Sequence, residues 1–483
     1  MSSSLFRAAV AALGAWALVA ACGGDRKTSG AGEAPETSAD GGAPTPDGAD
    51  PHAGAPDTGA ADAGAPLDTG WAASPFGTPG PWPTTPRTLF GPAQGFDEPA
   101  IVDVSTDEAQ NLWAVTHGAL FLLRPGESRA RKYTQADGLR LDNAMPPGIT
   151  AVCGGAPGEA FVGYQGADDI SDTQRDPLRF KGKLDRVVLQ SEGSLVVTHY
   201  DVHNDDLVGL DANGDVIRLP DGGLDPELTD WSFNEDRSVR RFLYDHLYHR
   251  GALYVGYNHG VARFEAGRPD PTTGFDYADH IHPVVTNAKG TRRMGDWNAL
   301  ALDPSTRTDR NGNAATGMLW MGGRWTGGAA TWTPGLFAWA RNALNPFWLA
   351  FQSVPVFPVA QGDDVFIFGI AALSDGTVYF GSFIGLGLAR WREREGFHYL
   401  SPQRDLGLPG AEILDLQRLP DDTVLIQQDS GVHRWNPKPE PRGQLMGGIA
   451  GLPGTVRRLY VDSMVSPTAI WVATDRGIAL LRP

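Results

Sequence analysis

Leu112-Trp113-Ala114-Val115-Thr116-His117-Gly118 is a short apolar run that closes on a small polar turn and a glycine. The same build returns at Leu253-Tyr254-Val255-Gly256-Tyr257-Asn258-His259-Gly260 and at Ile470-Trp471-Val472-Ala473-Thr474-Asp475-Arg476-Gly477. A recurring unit of this size cannot bury its apolar face alone and stacks on its copies, so the repeat decides the architecture before local propensity does. Seven such strands can be placed, anchored on Trp113, Phe161, Tyr254, Trp320, Tyr379, Leu425 and Trp471. We call these the b-strands. Ahead of each lies an apolar a-strand, such as Ile101-Val102-Asp103-Val104, Ile413-Leu414-Asp415-Leu416 or Val456-Arg457-Arg458-Leu459-Tyr460. Turns such as Asp375-Gly376 and Pro420-Asp421-Asp422 join a to b. A c-strand follows the glycine, as in Val261-Ala262-Arg263-Phe264 and Val432-His433-Arg434-Trp435. A d-strand appears in Arg131-Lys132-Tyr133-Thr134 and Phe397-His398-Tyr399-Leu400.

Four-stranded antiparallel units in radial array predict an all-β protein, a β-propeller, over residues 75–483. Seven blades fit the anchors. Eight stay open, because the interval from Phe161 to Tyr254 is about twice the usual spacing and Leu207 to Leu219 passes as a further b-turn-c unit. The last unit stops after its c-strand, Ile478-Ala479-Leu480-Leu481, whereas Arg87-Thr88-Leu89-Phe90 looks like a spare outer strand. The spare strand is expected to complete the last blade and close the ring.

The order Gly-Leu-Pro, apolar strand, acidic turn, Leu-Trp-Val-Gly-Thr, Gly, Leu-x-Arg-Phe, with Gly407-Leu408-Pro409 and Gly451-Leu452-Pro453 among its turns, resembles the two-component regulator propeller repeat of bacterial periplasmic sensors. The resemblance spans most of residues 86–483. It implies a sensor-like scaffold and says little about ligand. In that family the repeats commonly precede a membrane helix and a kinase; here Pro483 follows the last blade, so no output domain is expected in cis.

At the amino end, Arg7 precedes an uncharged apolar stretch from Ala8 to Ala21, the build of a secretory signal over residues 1–21. The stretch ends in Val19-Ala20-Ala21-Cys22, which resembles the lipobox of bacterial lipoproteins, making Cys22 the expected lipidated residue. Each buried methylene contributes about 0.8 kcal/mol, and two or three acyl chains hold lastingly. Gly23 at the next position implies, by the same resemblance, the outer membrane over the inner one. Residues 22–74 are nearly all Gly, Ala, Pro, Asp, Thr and Ser and cannot offset their ordering entropy, so a disordered tether is expected. Its reach is roughly 40 Å.

Hydrophobic residues make up 41% of the chain, with 14 Trp and 20 Phe, enough for one large core. The two cysteines, Cys22 and Cys153, leave no structural disulfide. A net charge of -17 without a basic stripe argues against nucleic acid as a partner. The expected partners are the membrane, through the lipid, and an envelope ligand or protein.

In a propeller the b–c turns gather on one face. They carry His117, Asn258 with His259, Arg324 with Trp325, Asp429, and Asp475 with Arg476. These are the candidate ligand-binding residues, since a mixed polar and aromatic mouth suits a peptide, glycan or metabolite. Their polarity also fits plain wet turns. Asp279-His280-Ile281-His282 sets two histidines on one face of a strand, the start of a zinc site or a solvent-facing pair. Asp309-Arg310-Asn311-Gly312-Asn313 is oxygen-rich but places its glycine wrongly for a calcium loop; a hairpin extension is expected. No cofactor or metal is expected. No nucleophile elbow, zinc helix or cysteine–histidine signature marks an enzyme. Binding without covalent chemistry is the leading expectation; a lyase or hydrolase acting on a glycan or envelope metabolite through His117 and His259 is the alternative, and an assembly scaffold a third.

Overall fold

The computed structural model describes residues 80–98, 100–166, 182–200, 238–248, 250–258, 260–269, 276–281, 285–286, 292–293, 297–308, 314–323, 328–332, 349–350, 367–382, 387–392, 396–439 and 442–482. The signal, Cys22, the tether and the Leu207 to Leu219 stretch lie outside them.

Among the described residues, seven four-stranded antiparallel sheets and two short hairpins are formed. Sheet I runs Asp103–Thr106, Leu112–Val115, Leu120–Leu123, Arg131–Tyr133; sheet II runs Ile149–Gly154, Glu159–Tyr164, Lys183–Leu189, Leu195–Tyr200. Sheet III is Val239–Asp245, Ala252–Tyr257, Val261–Pro269, Asp276–Ile281, and sheet IV is Ala299–Asp303, Met318–Gly322, Gly328–Trp332, Leu349–Ala350. Sheet V is Ile367–Ala372, Val378–Ser382, Gly387–Arg392, Gly396–Leu400, and sheet VI is Asp415–Arg418, Val424–Gln428, Gly431–Asn436, Gln444–Gly448. Sheet VII takes Val456–Asp462, Ala469–Thr474 and Gly477–Leu481 from the end of the chain and Arg87–Phe90 from its beginning. The early strand lies antiparallel to the last one, Arg87 opposite Leu481 and Phe90 opposite Ile478.

The first strands pack side by side in the order I to VII, and that of VII returns to that of I. The fold is a β-propeller. Each anchor faces the first strand of its own sheet: Trp113 is opposite Ser105, Phe161 opposite Cys153, Tyr254 opposite Leu243, and Trp471 opposite Tyr460.

Packing between sheets explains the repeat. Two residues after several anchors the chain has glycine because the neighbouring sheet presses there. A Cβ on Gly256 would meet the Trp297 carbonyl oxygen at 2.2 Å, and one on Gly381 would meet Ile413 Cγ2 at 2.4 Å. A residue at or just ahead of the start of a first strand donates its N–H to the end of the preceding sheet's second strand or to the turn after it: Ile149 to His117 O at 3.0 Å, Trp297 to Tyr257 O at 2.9 Å, Ile413 to Ser382 O at 3.0 Å, Ile101 to Thr474 O at 3.1 Å. Apolar clusters fill the same seams, as where Trp113, Val115 and Leu122 of sheet I meet Ile149, Val152 and Val162 of sheet II.

A second recurring device fixes the anchors. Asp107, just past its first strand, and Asp303, the last residue of its own, accept the indole N–H of Trp113 and Trp320, each at 2.9 Å. In sheet VII the corresponding Asp462 accepts Thr106 Oγ1 at 2.7 Å instead, and the Trp471 indole nitrogen is buried without a partner. Trp82 covers Trp471 edge-on, ring centroids 4.9 Å apart, so the stretch leading into the early strand also seals the last sheet.

Candidate functional site

The turns between second and third strands do structural work. His117 is exposed, yet its Nδ1 lies 2.8 Å from the Ile149 carbonyl oxygen, tying sheet I to sheet II. Asn258 Oδ1 accepts the Ser238 N–H at 2.9 Å, and Asp475 Oδ1 accepts the Thr455 N–H at 2.8 Å. Both pin the residue just ahead of their own sheet's first strand. The Arg476 N–H donates to Thr474 Oγ1 at 3.2 Å, and Asp429 is exposed. His259, Arg324 and Trp325 lie outside the described residues. No hydrogen bond joins any two of the described candidates. His280 sits on the outer strand of sheet III opposite Ala262, and His282 is not described. Arg307–Thr308 and Ala314–Ala315 form a hairpin on either side of the Asp309 to Asn313 stretch, which is itself outside the described residues.

The concentration of charge is in the middle of the ring. One position of the first strand, two residues before the partner of the anchor, is Asp103, Ala151, Arg241, Ala299, Gly369, Asp415 and Arg458 in sheets I to VII. Arg241 donates from Nη1 and Nη2 to Asp415 Oδ2 at 3.4 and 3.3 Å. It bridges sheet III to sheet VI; the sheets between them along the ring carry Ala299 and Gly369 at this position, which leave room for a long side chain. Gly369 also lets the neighbouring strand approach, since a Cβ there would meet the Leu416 nitrogen at 2.3 Å. Arg458 Nε lies 3.4 Å from Asp103 Oδ1. Asp103 is further held by the Val104 and Val152 N–H groups at 2.9 and 3.0 Å. Burial pushes the Asp103 carboxyl above its ordinary range, against the pull of Arg458 and Arg241. Burial pushes the Arg458 guanidinium down, and the Arg241 charge beside it adds to the effect.

A cavity of about 230 Å³ extends from this charged layer to the turns between first and second strands. Its lining draws on the first strands or following turns of all seven sheets, with Cys153, Ala301, Ala371 and Gln417 among them. Leu247, 67% exposed, and Met464, 37% exposed, stand at the turn end with Pro420, His246 and Arg418. The site therefore meets solvent on the face opposite the b–c turns. His246 Nδ1 is 3.5 Å from Glu108 Oε1, with burial lowering its pKa, and Arg418 Nε is paired with Asp422 at 2.7 Å.

The one thiol in the cavity wall is not activated. Burial pushes the Cys153 thiol up to about 12, so at neutral pH it is a small apolar group. Among the described residues no group of three or more metal-ligating side chains is found, and no helix is long and apolar enough to cross a membrane.

No family model and no curated protein matches the chain. Among solved structures it is similar to the WD40 β-propeller domain of Doa1, at 12% identity and a TM-score of 0.43, covering 79% of this chain and 92% of that one. It is similar to the extracellular domain of a hybrid two-component system from B. thetaiotaomicron, at 13% and 0.43, covering 82% of this chain and 41% of that one. Virginiamycin B lyase from Staphylococcus aureus matches at 10% and 0.41, over 82% of this chain and 99% of that one. The shared feature is the β-propeller; these likenesses say nothing of ligand or chemistry.

Proposed function

We propose that this chain is a lipid-anchored β-propeller of the cell envelope that binds a ligand or protein partner and carries out no covalent chemistry. The observation that carries this reading is the central cavity, built from every sheet, floored by buried charge and rimmed by exposed Leu247 and Met464. A charged floor under an apolar rim is the make-up of a binding site. We place the ligand there and not on the b–c turns, because His117, Asn258 and Asp475 are spent on backbone groups.

We also propose that the ring has seven blades, one for each first strand in the closed succession from sheet I to sheet VII. Cys22 carries the acyl chains, and residues 22–74 hold the propeller off the outer membrane. Two experiments test the reading. In a bacterial host, palmitate labelling of the chain is lost in Cys22→Ala while the propeller still folds; unchanged labelling defeats the anchor. A thermal-shift screen of envelope metabolites against residues 75–483 finds a stabilising ligand, about 2.7 kcal/mol at 100 times its Kd. That ligand's effect is lost in Arg241→Ala and kept in His117→Ala; the reverse pattern moves the site back to the b–c turns.

A further inference from the structure

From the charges of this cavity we infer that its ligand is a small organic monocarboxylate, its carboxylate seated on the Arg458 guanidinium and its apolar body reaching toward Leu247 and Met464. The inference rests on the proposed binding role of the cavity and adds the chemical class.

Three arginines line the cavity, Arg241, Arg418 and Arg458. Two are hydrogen-bonded to carboxylates, Arg241 to Asp415 and Arg418 to Asp422. Arg458 is not. Its ion pair with Asp103 at 3.4 Å lacks hydrogen-bond geometry, its Nε is buried without a partner, and its side chain forms no hydrogen bond among the described residues. Asp103 has meanwhile satisfied both its oxygens with the backbone N–H groups of Val104 and Val152. A planar, charged fork with open donors on a cavity wall is a carboxylate receptor.

The rest of the lining narrows the class. Asp103 and Asp462 also line the cavity, so a dianion such as phosphate meets two like charges on entering. Leu243, Ala301 and Met464 offer apolar contact to the remainder of an organic acid. A volume of about 230 Å³ lies below the ~300–1,000 Å³ of pockets that take drug-sized molecules, which sets the ligand at the size of a short-chain acid or an amino acid.

Calorimetric titration of the full chain with butyrate, benzoate and leucine, and with inorganic phosphate and butanol as controls, tests the inference. At least one carboxylate binds saturably, and neither control does. Arg458→Lys, which keeps the charge beside Asp103, weakens binding roughly tenfold or more by losing the fork. Leu247→Glu, at an exposed position on the rim, weakens it by repulsion and by loss of the apolar contact, and so by more than Leu247→Gln, which loses the contact alone. Binding of phosphate or butanol in preference, or carboxylate binding indifferent to Arg458→Lys and Leu247→Glu, overturns the carboxylate assignment while leaving a binding cavity. Absence of binding by every probe overturns the assignment; if a metabolite screen of the same protein is also silent, the cavity reading falls with it.

Discussion

Replacing Asp107 by alanine removes the acceptor on which the first sheet's anchor depends. Its two oxygens take five donors: the Ala109 and Asn111 N–H groups at 2.8 and 3.0 Å, Asn111 Nδ2 at 2.8 Å, the Trp113 indole at 2.9 Å and the Gly158 N–H at 3.0 Å. Water cannot replace all of them, because Asp107 and Trp113 are fully buried and Asn111 nearly so. The Trp113 Nε1 and the Asn111 N–H are left without acceptors, at about 1–3 kcal/mol each, so a loss near 4 kcal/mol is expected. For a fold of roughly 400 residues the unfolding entropy is about 0.8 kcal/mol/K, which converts that loss to a Tm drop of about 5 °C. Urea unfolding followed by tryptophan fluorescence reads both the midpoint and the environment of the indole. A change below about 1 kcal/mol would show that the aspartate–tryptophan lock does not hold the anchor, and the physical account of the repeat would fail at its first copy.

The same residue sets a pH dependence. Burial pushes the Asp107 carboxyl up to about 7 in the fold, above its ordinary value of 3.8, so the folded state binds more protons between those limits. Its contribution to stability therefore declines as pH rises from about 4 to about 7 and is level above, and Asp107→Asn removes that slope from urea midpoints measured across the range. Gly256→Val drives a side chain into the Trp297 carbonyl and lowers stability by about 1–3 kcal/mol or more, as overpacking does, with Gly448→Val at an exposed outer-strand position, where the nearest atom to a Cβ is 3.5 Å away, as an uncrowded control. Asp415→Leu strands Arg241 and costs about 3–5 kcal/mol by urea unfolding, whereas the double change Arg241→Met with Asp415→Leu recovers most of it.

What could be read in the sequence follows from which forces act locally. The anchors declare themselves because a tryptophan or tyrosine between small and branched residues has to be buried, and Trp113, Tyr254, Trp320 and Trp471 all are. The spare strand at Arg87 to Phe90 was legible because its apolar residues had no partner nearby in sequence, and it lies beside Gly477–Leu481. The assignment of Lys183–Leu189 and Leu195–Tyr200 as third and fourth strands of the second unit also follows from local pattern. The site was harder. Asp103, Asp415 and Arg458 stood in strands read as apolar; only lining the strands up on their anchors shows one position charged in four of seven sheets. That signal was present in the repeat. By contrast, the tie from His117 to Ile149 cannot be deduced from either residue type, because it depends on how far one sheet sits from the next.

The central claim is a ring locked by its own early strand around a central cavity. Deleting residues 80–91 takes away the strand beside Gly477–Leu481 and the Trp82 cover on Trp471. The account predicts a loss of at least about 3 kcal/mol in urea unfolding, the cost of removing a buried tryptophan alone, with amide exchange rising first in residues 456–482. An unchanged unfolding midpoint with undisturbed protection of those residues would contradict it.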